Sequence, residues 1–536
     1  MKQKCRLFRS LVVTLTAAVF TGCSGGTTAN TTPGHLPGPG FTLDKSVTTL
    51  VRTLVPAEPA VNPADSGSVP RSALQNFGTF ITGRGEDFVY RNDLDIPGAV
   101  PTPSTNARSI IYFPVITDVH IVDTKSPLRF CDMTVPSEGS YRPQDRYTTQ
   151  VLDAMIRTLD DFSGTRHYDL LMALGDSVDN TSEDEARWFI GALDGSVILP
   201  DSGRHIDVVP GPLNDPHDPF LAWGLDKRVP WYATVGNHDG LVIGMFPVTD
   251  QFRSVAIGDT VYAGSEDDYG NVIPGGTKIT PDTSRALLGP AGYMEEFFTT
   301  TSLPVGHGFS TTNLQTGYGD YAFDPDPSLP VRFIVLDWEC RNGPDSGCIR
   351  ADEVNNVLIP ELNGAYAEHK LVIVVSHQPP DAISPKSEIT GTAFTKILAS
   401  YPNVVLHLVG HLHTNRVMPH AGLSVTQPGY WEIETSSLID YPQQARIVEI
   451  VDNGDGTGYI FATMVNHNSP DGSMPALSRS LSLKEVQLGH IASGHEGTPQ
   501  DRNVELAIRI PPNVEIALKS AGLPTKIESI TTLKGD

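Results

Sequence analysis

Six apolar, β-rich runs that each stop abruptly in polar residues constrain this chain more than any other feature. They are Ile110–Thr117, Asp169–Leu174, Val229–Val235, Val331–Leu336, Lys370–Ser376 and Val404–Val409. A run that is apolar throughout suits a strand covered on both faces of its sheet. Amphipathic helices are predicted between the runs. In Asp145–Phe162 the residues Val151, Leu152, Met155, Ile156 and Leu159 recur at helical spacing. A second helix is predicted from near Thr181, where Thr181 with Asp184, or Ser182 with Glu185, offers a capping box. Thr392–Ser400 bridges the last two runs. Strands alternating with helices predict an α/β layered architecture. Beyond His413, the extended runs Tyr430–Thr435, Gln444–Val451 and Gly458–Val465 follow, the last two separated by the turn Asp452–Gly456, and they read as antiparallel strands.

The ends of the chain read differently. Lys2, Lys4, Arg6 and Arg9 precede the apolar stretch Leu11–Phe20, which is too short for a comfortable membrane span. The following Phe20-Thr21-Gly22-Cys23 resembles a bacterial lipoprotein signal box, so residues 1–22 are expected to be a signal peptide and Cys23 to carry lipid. That places the chain in the cell envelope, exported and anchored to a membrane. Residues 23–104 read as a tether and lead-in. Gly, Pro, Thr and Ser dominate Ser24–Phe41, a composition that cannot bury enough apolar surface to fold, so a disordered tether is expected. The main domain is expected over 105–470, with insertions at 195–228 and 240–330 (the latter a candidate cap) and a C-terminal extension at 471–536.

Polar residues cluster where the runs stop. The first leads into Thr117-Asp118-Val119-His120 and the second into Gly175-Asp176-Ser177-Val178-Asp179-Asn180. The third ends in Gly236-Asn237-His238-Asp239, and later ones in Ser376-His377 and Gly410-His411-Leu412-His413. Strand ends in layered α/β proteins face the crevice where ligands bind. Carboxylates, an amide oxygen and imidazoles, without thiolate, suit divalent Mn, Fe or Zn. The absence of any Cys-x-x-Cys pair speaks against a thiolate zinc site.

The ordered set D-x-H, G-D-x-x-D-N, G-N-H-D, H and G-H-x-H resembles the calcineurin-like metallophosphoesterase family, from Ser109 to about Val465. The resemblance implies two central mixed sheets in a sandwich flanked by helices. It implies a dinuclear centre of two divalent metal ions, with Asp118, His120 and His413 on the first and Asn237, His377 and His411 on the second. Asp176 would bridge them, and a metal-bound hydroxide would attack the phosphate ester. His238 would contact the phosphate and protonate the leaving alkoxide, with Asp179 holding it by a hydrogen bond. Where purple acid phosphatases have a ligating tyrosine this chain has Asp179. Where protein serine/threonine phosphatases have a phosphate-gripping arginine it has Asn180. The pattern is nearer the bacterial phosphodiesterase-like branches, which favours a phosphodiester slightly over a phosphomonoester. The alternatives are a 5′-nucleotidase-like phosphomonoesterase, disfavoured because residues after 470 contain no Trp, Tyr or Phe, and a non-catalytic metal-binding envelope lipoprotein.

Other residues read more plainly. The turn-rich Cys340–Cys348 segment can close as a local disulfide in an oxidising compartment, which leaves Cys131 over. Asp239, His407 and Trp338 read as structural. His205, His217, His420, His467 and His490 have no partner pattern and read as surface or loop residues. The net charge of −24 speaks against a non-specific nucleic-acid binder, which normally shows a basic surface, and no specific nucleic-acid binding is expected either. It leaves an anionic substrate open, because bound cations reverse a local field.

Overall fold

The computed structural model describes residues 34–35, 46–58, 76–131, 141–163 and 166–534. The expected signal peptide and Cys23 lie outside these residues. Among the described residues no helix is long and apolar enough to cross a membrane.

Two mixed sheets carry the fold. Their strands in chain order are β1 (Val89–Arg91), β2 (Arg108–Ile116), β3 (Leu171–Ala173), β4 (Trp231–Ala233), β5 (Tyr321–Phe323), β6 (Val331–Val335), β7 (Leu371–Val375), β8 (Val404–Val409), β9 (Arg416–Ser424), β10 (Gln427–Glu434), β11 (Gln444–Asp452), β12 (Thr457–Asn466) and β13 (Val504–Arg509). One sheet has the order β1-β13-β12-β11-β2-β3-β4 and the other β5-β6-β7-β8-β10-β9. All six predicted runs are strands. β2, β3 and β4 pair in parallel, as do β6, β7, β8 and β10, so within each sheet these strands end on the same side.

Alternation along each strand divides its side chains between two cores. Phe333 and Val335 of β6, with Ile373 and Val375 of β7, meet Phe113 and Val115 of β2 between the sheets. The Phe113 and Phe333 rings touch edge to face with centroids 5.5 Å apart. Ile334, Val372 and Val374 point the other way, onto Leu358, Leu362, Phe394 and Leu398. Tyr112 and Ile116 of β2 face the helices α1 (Thr148–Phe162) and α2 (Glu183–Asp194), whose apolar stripes include Val151, Met155, Ile156 and Phe189. The result is a sandwich with helices on both outer faces.

Several local details differ from the sequence reading. Ser182 caps α2 without a side-chain bond to its backbone, and its hydroxyl donates instead to the Asp184 carboxylate. Glu185 reaches past the cap to accept from the backbone N–H groups of Asp123 and Asn180, so it ties loops rather than closing a capping box. The large sheet takes β1 from the expected lead-in and β13 from the expected C-terminal extension, because β12 leaves an edge that β13 covers and β1 then flanks. In the 240–330 segment, Val242, Ile243, Ala256 and Leu287 form a small core with Leu128 and Phe130, and β5 edges the smaller sheet. His467 is buried rather than exposed. It follows directly on β12, its ring lies between Ser469 and Gln443, and its carbonyl accepts from Arg479 of helix Met474–Leu488.

The 195–228 segment is moored to α1 by two carboxylates. Asp153 accepts from the Trp223 backbone N–H at 2.6 Å, and Asp160 accepts from the Trp223 indole N–H at 3.0 Å. Burial pushes the Asp160 carboxyl from 3.8 up to about 7. The folded state therefore holds this proton after the unfolded chain has lost it. The stability it contributes is complete below about pH 4 and is lost as pH rises to about 7. Denaturant midpoints of metal-free Asp160→Asn between pH 4 and 8 should fall less steeply with pH than those of the wild type. An unchanged slope would remove Asp160 as the cause.

Candidate metal centre

The parallel strands deliver their next residues to one place. Asp118 follows β2, Asp176 follows β3, Asn237 opens a short helix after β4 (α3, Asn237–Gly240), His377 follows β7, and His411 and His413 follow β8. Main-chain bonds lock the ends together. The Asp118 N–H donates to the Gly175 carbonyl, the His120 N–H to the Asp176 carbonyl, and the His411 N–H crosses to the Asp118 carboxylate at 3.0 Å. Gly236 and Gly410 sit where nothing larger fits, since a Cβ on either would collide with the Asp176 or the Asp118 carboxylate. Asp118, His120, Asp176, His411 and His413 all have positive φ, between 45° and 76°, a region costly for residues with side chains.

The donor atoms gather into three overlapping groups, each with its atoms within 4.8 Å of one another. These are Asp118, His120 and His413; Asp176, His377 and His411; and His120, Asp176 and His238. Asp176 is shared between groups. Its Oδ2 lies 3.1 Å from His377 Nε2 and 3.7 Å from His120 Nε2, while its Oδ1 accepts from the His238 N–H at 2.8 Å. Asp118 Oδ1 lies 3.3 Å from His413 Nε2. Asn237 lines the same cleft, and its Nδ2 donates to the Gly244 carbonyl, which turns its oxygen away from that bond.

Each of four imidazoles is held from behind through Nδ1. His120 meets the Asp179 carboxylate at 3.1 Å, His413 the Asp440 carboxylate at 2.8 Å, His377 the Leu174 carbonyl at 2.7 Å and His238 the Asp179 carbonyl at 2.7 Å. Such partners fix the tautomer and leave Nε2 to the centre. The Nε2 atoms of His120 and His377 are buried and make no hydrogen bond among the described residues. Orphaned imidazole nitrogens facing two buried carboxylates fit divalent cations, and the all-N/O donor set suits Mn, Fe or Zn. Burial and the neighbouring His238 hold His120 down to about 4, in the neutral form that ligates. Against burial, Asp176 and Asp118 lift His377 to about 9, and Asp118 and Asp440 lift His413 to about 10. The centre therefore carries a surplus of negative field of the kind that cations neutralise.

Asp179 differs from its expected role. Its backbone carbonyl, not its carboxylate, takes the His238 ring, and the carboxylate lies 3.7 Å from that nitrogen. The carboxylate holds His120 and pairs with Arg129. Arg129 pairs onward with Asp145, which accepts from the Arg142 backbone N–H. The Arg142 Nε donates to Asp440, which holds His413. All five side chains are buried. The sequence reading missed Arg129, Asp145, Arg142 and Asp440. For Asp440 a signal existed, because it follows β10, another strand ending on the same side. Asp239 is structural, accepting from the backbone N–H groups of Ser177, Val178 and Gly236. His407 bonds Ser376 within the core.

A cleft of about 280 Å³ opens on the centre, and its walls include His238, Arg142, Met245, Asp345 and His495. Cys340 and Cys348 form a disulfide with Cα atoms 5.1 Å apart. The loop it closes carries Asp345, whose carbonyl accepts from Gln378 beside Asn237. His495, from the C-terminal segment, has Nδ1 3.0 Å from the His413 carbonyl.

A family model described as calcineurin-like phosphoesterase matches residues 112–415. No curated protein matches. Among solved structures, a dimetal phosphatase from Danio rerio aligns with 12% identity over 67% of this chain and 99% of its own, at a TM-score of 0.36. The family match spans more than half of the chain and takes in Asp118, Asp176, Asn237, His377, His411 and His413. The chain belongs to the calcineurin-like phosphoesterase family and is a phosphoester hydrolase.

Proposed function

We propose that the chain hydrolyses phosphate esters at a dinuclear centre, with phosphodiesters favoured slightly over phosphomonoesters. Asp118, His120 and His413 would hold one divalent cation, Asn237, His377 and His411 the other, and Asp176 both. The observation that carries this reading is the set of donor groups in which Asp176 is shared, where the buried His120 and His377 Nε2 atoms make no hydrogen bond among the described residues. Bound cations of this kind supply Lewis acidity toward a phosphoryl group and activate water near neutral pH.

The chain's own residues do the rest. The Asp179 carbonyl accepts the His238 Nδ1 proton, which presents Nε2 as the atom that can hold a second proton for the departing alkoxide. Asp179 and Asp440 keep His120 and His413 oriented from behind by direct bonds to Nδ1, and the buried Arg129 and Arg142 hold the two carboxylates in turn. Motif comparison around Asn180 supports the diester preference. The basic and apolar N-terminus ending at Cys23 supports an exported, lipid-anchored protein of the cell envelope.

The full chain, stripped of metal and reloaded with Mn, Zn or Fe, is expected to turn over a chromogenic phosphodiester and phosphomonoester only when reloaded. Asp176→Ala should bind fewer than two ions per chain and lose turnover by at least about a hundredfold. Two ions per chain with no turnover on either ester would favour a binding protein instead. No metal binding at all would overturn the centre.

His238→Gln should retain both ions and lower turnover by about 10² to 10⁴. The loss should shrink for an ester whose leaving group is a nitrophenolate, which needs no proton. An equal loss on good and poor leaving groups would remove His238 as the proton donor.

A further inference from the structure

We infer that Arg142 binds the phosphoryl group of the substrate, supplying from a different loop the cationic grip that this chain lacks at Asn180. The inference rests on the phosphoesterase reading above for the identity of its ligand.

Asn180 is unavailable for that task. It is buried, its Nδ2 donates to the Leu128 carbonyl at 3.2 Å, and its Oδ1 accepts from the Ile243 N–H at 2.9 Å. Both ends of the amide therefore brace loops, and the residue does not line the cleft. Arg142 does line it, and among the described residues it is the one Lys or Arg of the lining, whose described acids are Asp176, Asp345 and Asp440. An anionic ester entering this cleft meets three carboxylates, the histidines and one guanidinium.

The guanidinium is also built to receive an oxyanion. Its side chain is only 2% exposed, so it works in a medium that screens charge poorly. Asp440 holds its Nε at 3.0 Å, which orients the guanidinium before a ligand arrives, and Asp145 accepts from its backbone N–H at 3.0 Å, which fixes the main chain that carries it. Gln144 donates to the same Asp440 carboxylate at 3.1 Å and stiffens it further. Against burial, Asp440, Asp145 and Asp179 keep the guanidinium charged. A planar fork held in this way suits phosphate oxygens, and little further ordering is needed on binding. Because Asp440 serves Arg142 on one side and His413 on the other, the grip has a fixed relation to the candidate metal centre.

The test is binding of inorganic phosphate to the metal-loaded full chain by calorimetry, with metal content measured on every sample. Arg142→Gln should weaken phosphate binding by about tenfold to a hundredfold at unchanged metal content, the loss expected for a charge-assisted pair. Arg142→Lys should recover part of it. In turnover assays the KM of Arg142→Gln should rise more than its kcat falls. Phosphate affinity equal to wild type, or a loss that merely follows lost metal, would overturn the inference. If the wild type binds phosphate through Arg142 yet hydrolyses no ester, the inference stands and the catalytic reading falls.

Discussion

Asp118 couples the two sheets, and the rest of the site depends on that coupling. Its N–H bonds the turn after β3 in its own sheet, while its carboxylate accepts the N–H of His411, which leaves the opposite sheet. Its carbonyl accepts from Leu438 and Ile439, in the loop after β10. A single residue thus fixes the spacing of three strand ends that the apolar core alone would leave free to slide. The core between the sheets sets their separation through contacts such as Phe113 against Phe333. It has no directional bonds with which to set the register of the loops. Directional bonds at the rim do that, and they converge on a carboxylate that is also a candidate ligand.

Holding several carboxylates and imidazoles at that rim works against folding in two ways. Five of the seven candidate ligands adopt a left-handed backbone, at about 1 kcal/mol or more apiece. Asp118 and Asp176 are also buried within reach of the same imidazoles, where neither like charge is relieved by water. The compensation visible in the structure is local and polar. It consists of strand-end hydrogen bonds, the close approaches that Gly236 and Gly410 permit, and imidazoles that take up the negative field. A site assembled in this way is preorganised for cations, because its donor atoms are already placed and desolvated.

The buried alternation Asp179, Arg129, Asp145, Arg142, Asp440 extends the same logic outward. Each acid has an arginine on one side and either a ligand histidine or the second arginine on the other. No member is left as an isolated buried charge, the condition under which such a network is tolerable. Its consequence is mechanical. His120 and His413, which come from opposite sheets, are tied to one another through a continuous polar path behind the centre as well as through the centre itself. A shift of either imidazole has to move a chain of buried ion pairs and hydrogen bonds.

What was legible in the sequence, and what was not, follows from this division between local and non-local interactions. The six apolar runs could be read because a doubly covered strand writes its burial into consecutive residues. The polar residues after them could be read because strand ends are where such runs must stop. The partners behind the ligands could not be read. Arg129 lies 50 residues from Asp179 and Asp440 lies 27 from His413, and nothing in either local pattern names the other. Glu185 looked like half of a capping box because serine followed three residues later by glutamate fits that motif. Topology brought two loop N–H groups within its reach, and they replaced the cap. Asp179 is the most instructive case. The family resemblance gives its side chain to His238, yet a backbone carbonyl serves that ring, and every residue type carries one. A role filled by the main chain leaves no side-chain signature. The carboxylate was then free for His120 and Arg129, so the same residue orients a candidate ligand with its side chain and the proposed proton donor with its backbone.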